Sequence, residues 1–258
     1  MNSNTILEVR NLSKSYGGVK AVNNVSFSVT KGEIVGLIGP NGAGKTTSFN
    51  AIAGAEKPTS GEVFLNGEKV TGRSTEQLYH RGLLRTFQLS QEYPKMTTLE
   101  NLMVACKNQI GENILMNWLN SKGVISRETE VIKKATETLD FLGLSHVSDE
   151  LAGNLSGGQK KLLELGRTMM ADAKLILLDE PGAGVNPTLM QKIGDMIIEL
   201  NQKRGYTFCL IEHDMQLIER LCHRIIVLAE GRILQEGSME EIRNNAKVVD
   251  AYFGSANV

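Results

Sequence analysis

The sequence predicts an α/β protein built on a parallel sheet, and three observations carry that prediction. EIVGLI (residues 33–38), LILL (175–178), TFCLI (207–211) and RIIVL (224–228) are nearly continuous apolar runs. Strands covered on both faces look like this, whereas half-buried strands alternate. Stretches of helical spacing separate most of these runs, as crossover connections require. A glycine-rich segment follows the first run and opens a helix, a strand–loop–helix order typical of α/β folds.

The elements follow in chain order. ILEVRNL (6–12) and VSFSV (25–29) alternate apolar and polar residues and predict half-buried strands. In EVFLNGEKV (62–70) the Asn66-Gly67 pair divides two short strand-like runs, a strong hairpin signal. Together these segments predict an N-terminal antiparallel β-subdomain. From about Pro94 to Gly153 the texture changes to helical. Thr97-x-x-Glu100 is a capping box ahead of LENLMVACKNQ, and SRETEVIKKATETLDFLGL carries apolar residues at helical spacing up to Gly143. This stretch predicts an all-helical lobe inserted in the α/β core. Within it NILMNWL (113–119) either faces a partner or fills the lobe's own core.

Composition narrows the function. The 258 residues are 41% hydrophobic and carry a net charge of -1, with a pI near 6.5. A chain of that length buries roughly 75% of its unfolded surface, enough for one large domain with a lobe attached. The charge balance gives no electrostatic case for nucleic acid. Cys106, Cys209 and Cys222 show no C-x-x-C spacing, consistent with ordinary thiols of a reduced compartment. The polar start MNSNTILEVR has no apolar signal region. The longest apolar runs fall far short of the ~20 residues of a membrane helix, so any membrane association is expected through a partner.

Three motifs carry chemistry. Gly39, Gly44, Lys45 and Thr46 in GPNGAGKTT (39–47) fit G-x-x-x-x-G-K-[ST]. Glycines allow backbone N–H groups to turn toward phosphate oxygens, Lys45 adds charge at the β- and γ-phosphates, and the helix N-terminus adds its dipole. The Thr46 hydroxyl can ligate Mg²⁺. LILLDEP ends a predicted buried strand on Asp179 and Glu180. At the carboxyl end of such a strand, Asp179 suits Mg²⁺, through water, and Glu180 suits polarising the water that attacks a γ-phosphate. The third motif is LSGGQ (155–159). Ser156 and Gln159 fit a capping box for a helix with Leu162, Leu165 and Met169 on one face. That leaves Gly157 and Gly158 unexplained, since paired glycines beside a helix start cost entropy. They would let an anion approach, and with the chain's own nucleotide held at Gly39–Thr46, that anion would belong to another subunit.

With these residues in view, the chain resembles the nucleotide-binding subunits of ABC transporters almost end to end. GPNGAGKTT resembles the Walker A loop, covering Gly39, Pro40, Asn41, Gly42, Ala43, Gly44, Lys45, Thr46 and Thr47. LILLDE resembles the Walker B strand, and LSGGQ the family signature. The resemblance implies a single ABC ATPase domain over 1–258. Residues 1–93 and 160–258 would form the β-subdomain and a RecA-like core, and 94–159 the helical subdomain with the signature loop. It implies ATP with Mg²⁺, sandwiched head to tail between two subunits, so that Ser156, Gly157, Gly158 and Gln159 serve the partner's site. It also implies that Tyr16 stacks on adenine, that Gln88 in RTFQ reaches Mg²⁺ and the attacking water, and that His213 contacts the γ-phosphate. At Asn186, in GAGVNP, the family usually has Asp.

RTFQ, DEPGAGVNP, IEHDM and VVDAYFG resemble most closely the branched-chain amino acid uptake ATPases. Urea-uptake and lipopolysaccharide-export ATPases share several of these strings. Soluble ABC proteins form another class, but usually carry two cassettes or long coiled-coil insertions. The uptake resemblance implies a second ATPase subunit, identical or related, transmembrane permease subunits and an extracytoplasmic substrate-binding protein. It places the chain at the cytoplasmic face of the inner membrane, held there by its partners.

Overall fold

The computed structural model of the chain describes residues 4–86, 92–107 and 121–253. Two compact units emerge, one of Met1–Gln88 with Lys174–Val258 and the other of Leu89–Ala173.

The first unit holds two sheets. Strands β1 (Thr5–Tyr16), β2 (Val19–Thr30), β4 (Ser60–Leu65) and β5 (Glu68–Lys69) form an antiparallel sheet in the order β2-β1-β4-β5. The alternation of VSFSV appears in three dimensions: Val25, Phe27 and Val29 are buried while Ser26 and Ser28 face outward. Asn66 and Gly67 both take positive φ, 49° and 81°, as a two-residue hairpin turn between β4 and β5 requires.

The second sheet contains β3 (Ile34–Ile38), β6 (Leu83–Arg85), β7 (Leu175–Asp179), β8 (Thr207–Ile211), β9 (Arg224–Ala229) and β10 (Arg232–Gly237). Its order is β10-β9-β3-β8-β7-β6, parallel throughout except for β10. Every residue of β3, β7 and β8 is buried, which explains their continuous apolar sequences. Helices α1 (Lys45–Ile52), α2 (Thr75–His80), α6 (Pro187–Arg204), α7 (Met215–Leu221), α8 (Met239–Arg243) and α9 (Ala246–Phe253) complete the unit. Leu7, Leu12 and Val25 of the antiparallel sheet join Leu37, Phe49, Leu177 and Leu228 in one apolar core. Each such side chain contributes roughly 1.5–3 kcal/mol by burial. The edge strands β6 and β10 fall outside the predicted set. One has three residues and the other is largely half-exposed, so neither leaves an apolar run.

In the second unit α3 (Thr98–Val104), α4 (Ser121–Leu142) and α5 (Gly157–Met170) pack on one another. The Thr97 box forms in full: its hydroxyl accepts from Glu100 N at 3.1 Å, and Glu100 accepts from Thr97 N at 2.7 Å. Buried Asn101 is satisfied on both sides of its amide, accepting from Tyr93 N at 2.8 Å and donating to Thr97 O at 2.9 Å and Tyr93 O at 3.0 Å. Helix α4 begins five residues before the predicted Ser126 and stops at Gly143, whose φ is 68°. The segment Asn113–Leu119 lies outside the described residues. None of the three cysteines is in a disulfide, and burial pushes the Cys209 thiol up to about 12, leaving it unreactive. Among the described residues no helix is long and apolar enough to cross a membrane.

Candidate functional site

The site begins where β3 stops. This strand lies between β9 and β8 in the parallel sheet, and Gly39–Gly44 carry its carboxyl end into α1. Gly44 caps α1 with φ 95°, and a Cβ there would stand 2.3 Å from the Ala21 carbonyl oxygen on β2. Only glycine lets β2 back the loop so closely. Lys45, the first residue of α1, turns back over the loop, and its Nζ donates to the carbonyls of Gly39 at 2.8 Å and Pro40 at 3.0 Å. Burial lowers its pKa, while Glu180 and Asp179 oppose that shift. The carboxylates thus help keep a largely buried ammonium charged at the phosphate loop. Asn41, Gly42 and Thr46 are exposed, Thr47 half-buried.

The two carboxylates come from β7, one strand beyond β8. Asp179 ends the strand buried, 3% exposed, and Arg85 Nη2 donates to its Oδ2 at 2.7 Å. Glu180 leaves the strand with φ 50°, a left-handed conformation that side chains other than glycine rarely hold. Its N–H is tied to the Ile211 carbonyl at 2.9 Å, so β8 fixes the bend. His213 follows the end of β8, and its Nε2 lies 3.0 Å from Glu180 Oε1. The pairing of parallel neighbours thus joins two residues 33 positions apart.

Behind them sits Glu212, 5% exposed. Its Oε1 accepts from Gly182 N at 2.6 Å and its Oε2 from His213 N at 3.1 Å, bridging the two loops that carry Glu180 and His213. Burial raises its pKa despite these backbone donors and that of Asp214, and nearby Glu180 adds to the rise.

Tyr16 is 47% exposed at the end of β1, and its hydroxyl donates to Glu56. That bond holds the Glu56 carboxyl below its usual range and raises the Tyr16 phenol. A cleft of about 1050 Å³ lies beside the phosphate loop, lined by Gly39–Ala43 with His213, Arg232, Lys247 and Tyr252. Burial pushes the Tyr252 phenol up to about 12, while the Gly39 backbone pulls the other way, so α9 reaches the loop itself.

In the other unit Ser156 caps α5. Its Oγ accepts from Gln159 N at 3.3 Å, and Gln159 Oε1 accepts from Ser156 N at 2.9 Å. Gly157 and Gly158 are the first two helical residues, and a Cβ at Gly157 would meet nothing within 4 Å. Asn186 caps α6, accepting from Leu189 N at 2.9 Å. Gln88 lies outside the described residues. Sequence reading missed Arg85, Asn50, Glu56, Glu212 and Tyr252. Of these, Arg85, Glu212 and Tyr252 stood within strings already singled out: RTFQ, IEHDM and VVDAYFG.

A glycine-rich loop at the carboxyl end of a central parallel strand, with a lysine folded over it and carboxylates two strands away, defines a P-loop nucleotide-binding protein. The chain belongs to the ABC transporter family, whose model matches residues 22–183. It is an ATPase of that family. Over 253 residues it is 42% identical to a probable branched-chain amino acid transport ATP-binding protein, LivG, of Archaeoglobus fulgidus, covering 97% of this chain and 96% of that protein. Its structure is similar to a solved ATP-binding cassette of an ABC transporter in its ADP conformation, with TM-score 0.82 and 41% identity over 97% of this chain and 99% of the other. It is also similar to a dimeric ATP-binding cassette in a post-hydrolysis state bound to ADP and Pi, with TM-score 0.75 and 28% identity over 91% and 99%.

Proposed function

We propose that this chain is the ATP-hydrolysing subunit of a membrane importer for branched-chain amino acids, driven by closure of an ATPase pair around Mg-ATP. The observation that carries the hydrolytic reading is the meeting of Glu180 and His213, 3.0 Å apart, at strand ends beside the Lys45 loop. Lys45 neutralises the β- and γ-phosphates, and the backbone of Gly39–Thr47 cradles them. Glu180 accepts the proton of the attacking water, and His213 orients Glu180 and the γ-phosphate. Tyr16 stacks on the adenine.

The donor set fits Mg²⁺. The Thr46 hydroxyl is exposed at the start of α1, and Asp179 Oδ1 has no side-chain partner among the described residues. Both are hard oxygen donors of the kind this ion takes, and Gln88 would add a third. When bound, Mg²⁺ neutralises charge on the β- and γ-phosphates.

The dimeric cassette among the structural relatives supports a paired arrangement. In such a pair, Ser156–Gln159 of one chain would meet the nucleotide of the other. The open space beside Gly157 agrees with a surface meant for something outside its own chain. The name of the Archaeoglobus protein supports the substrate class. Permease subunits, a substrate-binding protein and a place on the cytoplasmic face of the inner membrane follow from that reading.

Glu180→Gln is the test of mechanism. It should bind Mg-ATP and hydrolyse it about 10²–10⁴ times more slowly, the usual cost of losing a positioned base. Near-normal turnover would remove Glu180 from its role. For the substrate, the chain is purified from membranes with its partners and reconstituted. Leucine, isoleucine or valine should stimulate ATP hydrolysis; stimulation by urea instead would overturn the amino acid reading.

A further inference from the structure

A chain of side-chain hydrogen bonds runs through the first unit from Tyr16 to Asp179. The Tyr16 hydroxyl donates to Glu56, whose other oxygen, Oε1, accepts from Asn50 Nδ2 at 2.6 Å. Asn50 Oδ1 accepts from Arg85 Nη1, and Arg85 Nη2 donates to Asp179 Oδ2 at 2.7 Å. The side chains of Arg85 and Asp179 are 7% and 4% exposed, so this pair sits in a low-dielectric setting where orientation is strongly enforced.

The backbone builds the middle of the chain. Helix α1 ends in a turn in which the N–H groups of Ala55 and Glu56 both bond to the Asn50 carbonyl, at 2.9 and 3.1 Å. That turn brings Glu56 back beside the Asn50 side chain. The amide of Asn50 is polarised to match, with its oxygen toward a cation and its nitrogen toward an anion. An aspartate there would accept from Arg85 but repel Glu56. Lys14 Nζ, 3.4 Å from Glu56 Oε2, pairs with the far end of the chain.

We propose that Asn50 and Glu56 are positioning residues for the metal end of the site: through Arg85 they hold the Asp179 carboxylate with Oδ2 engaged and Oδ1 presented to Mg²⁺, and so tie metal binding to Tyr16, the residue that stacks on the adenine. This rests on the Mg-ATP reading above. It explains an arginine on the metal-binding carboxylate. The guanidinium fixes one oxygen and offsets the buried charge, while Asn50 keeps the guanidinium from swinging off.

The test measures binding of a fluorescent ATP analogue to the full chain as Mg²⁺ is varied, alongside melting temperature. In Asn50→Leu the half-saturating Mg²⁺ concentration should rise about 10–100-fold, as when a residue hydrogen-bonded behind a metal ligand is lost. Nucleotide affinity without Mg²⁺ should stay unchanged. Asn50→Asp and Glu56→Gln should each weaken the Mg²⁺ dependence. Together they reverse the order of amide and carboxylate with the net charge kept, and should restore it to within about threefold, a coupling that independent sites would not show. The proposal is overturned if Asn50→Leu binds Mg²⁺ as the wild type does. It is overturned if the double variant is as impaired as the two singles combined, or if Mg²⁺-free affinity and melting fall in step with the Mg²⁺ effect. Should Asn50→Leu fail to fold, the double-variant comparison decides. If the wild type itself shows no Mg²⁺ dependence, the underlying Mg-ATP reading fails and this proposal falls with it.

Discussion

Glu212 offers the sharpest test of how the site is held. Its carboxylate receives Gly182 N–H on one oxygen, at 2.6 Å, and His213 N–H on the other, at 3.1 Å. Glu212→Gln keeps the shape but has one acceptor oxygen. With that oxygen at Gly182, the new NH₂ faces the His213 N–H and leaves a backbone donor unsatisfied, at a cost of about 1–3 kcal/mol. For a chain of this size, each kcal/mol lowers the melting temperature by roughly 2–4 °C. The sign of the pH dependence follows from the raised pKa of Glu212, caused first by burial. The folded state favours the protonated form, so the contribution of Glu212 is fully present below the ordinary glutamate value of 4.5 and declines as pH rises through the folded pKa. The amide does not titrate. The stability gap between wild type and Glu212→Gln should therefore be widest in acid and narrow toward neutral pH. Thermal melts across that range, with ATP binding and hydrolysis measured beside them, test this. Hydrolysis should fall more than binding, because His213 loses its backbone anchor while the Lys45 loop is untouched. Melting and turnover both equal to wild type, or a gap that widens with pH, would refute the reasoning.

Two further outcomes are expected. Gly44→Ala places a Cβ 2.3 Å from the Ala21 carbonyl at φ 95°, so nucleotide binding should be lost or the melting temperature lowered, by the roughly 1–3 kcal/mol of such backbone strain or more; an alanine variant that binds ATP normally would show that β2 does not buttress the loop. Gly158→Asp should bind ATP as an isolated chain with near-normal affinity yet lose ATP-driven pairing and hydrolysis, and, where identical copies pair, mixing it with Lys45→Ala should recover partial activity. Loss of ATP binding in the isolated Gly158→Asp chain would place LSGGQ in its own chain's pocket.

The parts of the fold that the sequence made legible are those with a local cause. Continuous apolar runs announced β3, β7, β8 and β9 because parallel strands are covered on both faces. Asn66-Gly67 announced its hairpin because few other pairs tolerate two positive φ angles. Thr97 and Ser156 announced helix starts because the capping box is written in four consecutive residues. Strands β6 and β10 were silent, being short or half-exposed at sheet edges. In the site, the glycine loop and the Asp179-Glu180 pair could be read from residue types, but His213 was singled out only through resemblance, and its closeness to Glu180 is seen only in the fold. Arg85 and Asp179 are 94 positions apart, and nothing in either local string foretells their pairing. Glu212 was hidden for another reason: an acidic residue at a strand end ordinarily reads as solvated, and only the fold shows two backbone donors closing over it.

Asn186 shows where one chain's physics stops explaining its sequence. As the cap of α6 it accepts from Leu189 N at 2.9 Å, with Pro187 at the first helical turn. Asparagine and aspartate cap helices about equally well, and aspartate would add only about 0.3–1 kcal/mol from the helix dipole. The fold of this chain therefore has little stake in which of the two stands there. The same holds for Gly157, where a Cβ would meet open space, in contrast to Gly44, where the chain's own backbone forbids one. Residues of the second kind are selected by the chain itself. Gly157 and Asn186 lie in the signature and in the loop after the carboxylate pair, and under the proposed function both segments face a second subunit. Their identities are then set across that interface, and a charge missing at Asn186 should register in pairing rather than in the stability of the isolated chain.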